Sequence, residues 1–155
     1  MIEGQTIVPA LDQHAFRGEF LDCFALIEDH LVPAIDRAVE LGFAKKPPHL
    51  LGQKFELARK VVDDERIWLH REHVRPIIDS LASYAEMRGL IGHGVIVDAV
   101  LEGRPAFSIR PSGISDWRKR IVLSEAETNA LLNDLRELTT RFRKQALKAQ
   151  AKRQN

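Results

Sequence analysis

The chain has 155 residues, 45% hydrophobic and 29% charged, with 23 Lys and Arg against 22 Asp and Glu. A formal charge of +1 supplies no bulk field to concentrate nucleic acid, so any such contact must come from a local patch. The single cysteine, Cys23, excludes an internal disulfide, no apolar run approaches the roughly 18 residues of a membrane span, and the N-terminus carries no signal-peptide pattern, which together predict one cytoplasmic domain over residues 1–155 with no membrane role.

Residues 1–10 have no helical period and read as a leader. From about Leu11 to Leu41, Phe16, Phe20, Phe24, Ile27 and Leu31 line one face, which predicts a long first helix. Pro33 lies inside it, removes a backbone hydrogen bond and predicts a kink or a break. Gly42 ends that helix, Lys45-Lys46-Pro47-Pro48 forms a loop, and Leu51, Phe55, Ala58 and Val62 carry a second helix from near Leu50. Asp63-Asp64-Glu65 interrupts the pattern, and a third helix is expected from Glu65 or Glu72 to Gly92.

The period then changes. Val95–Leu101 and Ala106–Ile109 are β-prone and joined by Glu102-Gly103-Arg104-Pro105, which predicts a hairpin, with a third short strand over Arg120–Leu123. Ser124 and Glu127 have capping-box spacing, and Leu131, Leu135, Leu138 and Phe142 form the apolar stripe of a last helix. Beyond Thr140 come Arg141, Arg143, Lys144, Lys148, Lys152 and Arg153 with no acid, and the apolar face fades after Leu147, so residues 148–155 read as a frayed basic tail. The fold class expected is mainly α: a bundle of four to five helices with a small β-hairpin, residues 94–123, inserted before the C-terminal helix.

Within the third helix, Val74, Ile77, Leu81 and Tyr84 recur at spacings of three and four, and the next step falls on Arg88 before reaching Ile91. A guanidinium aimed inward needs an acidic neighbour, a wet cleft or a subunit interface, because burying it unpaired is costly. His93 follows five residues later between Gly92 and Gly94. Five residues turn a helix through about 500°, so Arg88 and His93 share no face of a continuous helix; a positive φ at Gly92 or Gly94 swings the imidazole back. A titratable imidazole beside a guanidinium suits phosphodiester cleavage without a metal, and RNA supplies its own 2′-hydroxyl nucleophile. Glu28, at the edge of the first helix's apolar face, is placed to orient Arg88 or to make an ordinary interhelical salt bridge with it.

An all-helical chain whose later helix ends in R-x4-H and glycine, here Arg88, His93 and Gly94 after Leu81-Ala82-Ser83-Tyr84-Ala85-Glu86-Met87, with Phe24-Ala25-Leu26-Ile27-Glu28 in the first helix, resembles the HEPN superfamily. The resemblance implies a metal-independent endoribonuclease with Arg88 and His93 as catalytic residues and no cofactor. It also implies a homodimer whose two motifs meet in one cleft, RNA as substrate, and a role in toxin–antitoxin, phage-defence or RNA-processing systems, with an antitoxin protein as a further partner. The residue after the arginine is usually polar in that superfamily, often Asn, and is Gly89 here. A catalytically inactive HEPN-like module binding RNA or a protein partner through the same cleft therefore stands beside the enzyme.

Two other groups merit placing. Arg110, Trp117, Arg118, Lys119 and Arg120 combine cations with a ring able to stack on a base, or make a soluble hairpin edge with Trp117 packed on the bundle. His70-Arg71-Glu72-His73 puts two histidines on one helical face, but two ligands from one helix do not make a metal site, and they read as solvated. Phosphate-loop, dinucleotide, C-x-x-C and G-x-S-x-G motifs are all missing from the sequence.

Overall fold

The computed structural model describes residues 12–113 and 119–155. The expected leader, and Trp117 and Arg118 of the basic cluster, lie outside the described residues. Within them the order is α1 (Gln13–Glu40), α2 (Leu51–Lys60), α3 (Arg71–His93), β1 (Val95–Leu101), β2 (Arg104–Arg110), β3 (Ile121–Ser124) and α4 (Glu125–Gln154). The fold is mainly α, four helices with a small antiparallel sheet before the last.

Local chemistry sets the ends of α1. The Asp12 carboxylate accepts from the amides of His14 and Ala15, both at 3.0 Å, satisfying two donors that a helix start leaves open. At the other end Gly42 adopts φ +85°, and the Phe43 and Gly42 amides donate to the Ala38 and Val39 carbonyls, the Schellman arrangement that glycine makes accessible. Pro33 does not break the helix, which runs unbroken to Glu40. The carbonyl that Pro33 leaves without a donor belongs to Asp29, an exposed residue, so water can answer it.

α1 is the central member of the bundle, packed on α2, α3, α4 and β1. Phe20, Phe24, Ile27 and Leu31 from α1 are fully buried with Val74, Ile78 and Leu81 from α3 and Leu135 and Phe142 from α4. Each such side chain removed from water contributes roughly 1.5–3 kcal/mol before conformational entropy is set against it. Trp68, in the turn between α2 and α3, packs on Phe142 with ring centroids 5.6 Å apart, closing one end of the core.

The hairpin expected before the last helix is a three-stranded sheet of order β1-β2-β3, in which β3 pairs from Ile121↔Ile109 to Ser124↔Ala106. Glu102 and Gly103 both take positive φ, 52° and 75°, as a two-residue hairpin turn matching the strand twist requires. Phe107 and Ile109 face the core, and the Phe107 ring lies 5.4 Å from that of Phe16, which fastens the sheet to the start of α1. On the edge strand β1, Asp98 accepts from Gln13 at 2.8 Å, placing a carboxylate where another strand would otherwise add.

Ser124 begins α4 with the expected capping box, its hydroxyl accepting from the Glu127 amide at 3.1 Å. The expected fraying of residues 148–155 is not found. α4 stays helical to Gln154, Ala149 is buried, and Arg153 donates to the carbonyls of Pro33 at 3.1 Å and Ile67 at 3.0 Å. A helix end whose stripe carries only small apolar residues is held by that cation rather than by bulk.

Candidate functional site

Arg88 lies in the last part of α3, half-buried, at the junction of three helices. Its Nη2 is 3.5 Å from Oε1 of Glu28 on α1, the ion pair that the inward position calls for. The other oxygen of Glu28 is taken by a residue the sequence reading did not single out: Lys54 of α2 donates to Oε2 at 3.2 Å. The Nε of Arg88 is buried without a hydrogen-bond partner, so this guanidinium is incompletely satisfied. One turn earlier the Tyr84 hydroxyl donates to Asp134 of α4, and burial with this carboxylate beside it pushes the Tyr84 pKa up to about 12.

The expected backward swing of His93 does not occur. α3 is helical through His93, and neither Gly92 nor Gly94 takes positive φ; Gly94 has φ −74° and ψ 168°. Arg88 and His93 therefore point about 140° apart around one helix. Gly94 is needed for another reason: a Cβ there would stand 2.2 Å from the Leu90 carbonyl oxygen and 2.7 Å from that of Arg110, so the chain turns into β1 through a gap without room for a side chain. Gly92 likewise lies against α1, where an added Cβ would be 3.3 Å from Leu21.

The end of α3 is fixed by a second missed residue. Arg17 of α1 donates to the carbonyl oxygens of Gly92 and Gly94, each at 3.1 Å, on either side of His93. Those oxygens lie at the negative end of the helix dipole, and a guanidinium is well suited to them. Arg17, Leu21 and Glu28 follow at intervals of four and seven on one side of α1, so a single helix face braces both ends of the R-x4-H segment. His93 itself is exposed, and its side chain makes no hydrogen bond or ion pair among the described residues. Gly89 is also exposed, and a Cβ there would meet nothing within 4 Å.

The remaining candidates are dispersed. Arg110 ends β2 half-buried, while Lys119 and Arg120 are exposed just before β3. His70 and His73 stand edge to face at 5.8 Å, each near Glu72 at 3.6 and 3.7 Å. Among the described residues no group of three or more His, Cys, Asp or Glu is placed to hold a metal ion, and no helix is long and apolar enough to cross a membrane. Cys23 is buried as a free thiol, and burial pushes its pKa up. Comparison of the chain with protein-family models, curated proteins and solved structures finds no match.

Proposed function

We propose that the chain is a metal-independent endoribonuclease of HEPN type that acts as a homodimer. The observation that carries this reading is the contrast between its two motif residues: an oriented, half-exposed Arg88 on Glu28 and, at the end of the same helix, an exposed His93 with its imidazole uncommitted. Their divergence around α3 favours a site assembled from two copies, because a single copy does not bring both side chains to one phosphate.

In such a site one His93 takes the proton of the 2′-hydroxyl and the freed oxygen attacks phosphorus. The bond from phosphorus to the 5′-oxygen breaks, and the other copy of His93 protonates the leaving oxygen. Arg88 stabilises the charge that grows on the nonbridging oxygens. The products are a 2′,3′-cyclic phosphate and a 5′-hydroxyl.

The second reading, an inactive module that binds RNA or a protein partner, is favoured by Gly89, which offers no polar group beside the arginine. One experiment separates them. Single-stranded RNA is incubated with the protein in EDTA, and the new ends are identified. The enzyme leaves cyclic phosphates, spares DNA and loses activity in His93→Ala, and dimers with one substituted chain fall far below half activity if both histidines serve one phosphate. Cleavage that survives His93→Ala in both chains rejects the mechanism, and the absence of cleavage of every RNA tried leaves the module.

A further inference from the structure

Glu28 is one carboxylate between two cations. Each of its oxygens is used by a different one, Oε2 by Lys54 at 3.2 Å and Oε1 by Arg88 at 3.5 Å, so the cluster carries one positive charge in excess. An interhelical salt bridge needs a single cation; the second is surplus to that purpose. The neighbouring cation of α2, Arg59, has its own carboxylate in Asp79 at 3.1 Å and takes no share of Glu28.

The surplus charge is held on a frame and remains reachable. Its three side chains come from α1, α2 and α3, and those of Lys54 and Arg88 keep 22% and 38% of their exposure. Two cations on different helices, aligned by a shared carboxylate and left with excess charge, present the complement of a phosphate: a point charge from the ammonium and the exposed part of the guanidinium.

We propose that Lys54 is a second phosphate-contacting residue of this site, gripping with Arg88 one backbone phosphate of single-stranded RNA while Glu28 holds the two cations in place. The proposal rests on the ribonuclease reading and extends it to α2, which has no part of the R-x4-H motif. It makes the grip a property of the bundle, since drawing α2 away from α1 separates the cations.

The test is fluorescence anisotropy with a labelled oligouridylate, in EDTA across a salt series and in a His93→Ala background that keeps the probe intact. Lys54→Met should bind more weakly, and its plot of log affinity against log salt should be shallower by about 0.7, the contribution of one phosphate contact on a single strand. Lys54→Arg, which keeps the cation and its Glu28 partner, should restore both the affinity and the slope. An unchanged slope in Lys54→Met overturns the role of Lys54 and leaves a salt bridge. If the chain with Lys54 and Glu28 intact does not bind the probe at all, the ribonuclease reading fails as well, and the two failures are distinguished.

Discussion

Arg17 and Gly94, 77 residues apart, are joined by a hydrogen bond from the guanidinium to the carbonyl oxygen at 3.1 Å, with a matching bond to Gly92. The charged group closes the end of α3 and sets where β1 begins. Arg17→Met leaves two part-buried carbonyls without this donor and should lower stability by about 2 kcal/mol. Urea unfolding measures the loss, and hydrogen exchange should quicken first at the start of β1. A variant as stable as the parent would mean that water replaces the clamp at no cost.

The two glycines flanking this region should respond oppositely. Gly94→Ala drives a Cβ into two backbone oxygens that cannot step aside, and a loss of more than about 3 kcal/mol, or failure to accumulate folded protein, is expected. Gly89→Asn enters open space on an exposed helix surface and should gain a few tenths of a kcal/mol from the relief of glycine's backbone entropy. If the chain is a ribonuclease weakened by Gly89, the same substitution raises cleavage. Thermal melting and an EDTA cleavage assay read the two effects separately.

Arg88→Ala should change stability by less than about 1 kcal/mol, because Glu28 keeps Lys54 as a partner and an unsatisfied Nε is removed. A loss of several kcal/mol would make Arg88 a structural strut and take away the main support for a functional cleft. Light scattering at micromolar concentration addresses assembly in the same preparation. A dimer with the ends of α3 near its axis is expected, and a strictly monomeric mass would exclude a composite site.

Tyr84 gives a pH signature. Its pKa is raised in the fold from 10.0 to about 12, so its contribution is fully present below pH 10 and is lost as the pH rises from about 10 to about 12. Because Tyr84 is the only tyrosine, the ultraviolet absorbance of tyrosinate reports this group alone. The folded protein should titrate well above the urea-unfolded chain, and Tyr84→Phe should remove this part of the alkaline loss of stability. Coincident folded and unfolded titrations would show that Asp134 and burial do not act on it.

Elements carried by strong periodicity were legible in the sequence. The face from Phe16 to Leu31, the glycine stop at Gly42 and the Ser124 capping box all stand where pattern and local chemistry put them. The pairing of Glu28 with Arg88 was also within reach, because an inward cation demands an acid and Glu28 sits at the right edge. Lys54 and Arg17 were not, since both partner groups lying far along the chain and look like ordinary surface cations in their own helices. The role of Gly94 is hidden from the sequence for a related reason. Gly94 suggested positive φ, but what it accommodates is the approach of the Arg110 backbone from β2, a contact that no local pattern encodes. The last turns of α4 were lost because helix propensity and a fading stripe say nothing of the two carbonyls waiting for Arg153.

The parallel course of α1 and α4 also bears on the order in which the molecule can form as it is synthesised. Glu19 meets Arg136, 117 residues later, and the Pro33 carbonyl meets Arg153, 120 residues later. α1 is thus covered on one side by α4, which follows it by some 85 residues of chain. While the ribosome is still producing the sheet, Phe20 and Phe24 lack the cover of Leu135 and Phe142, and the nascent chain presents an open aromatic stripe to whatever surrounds it.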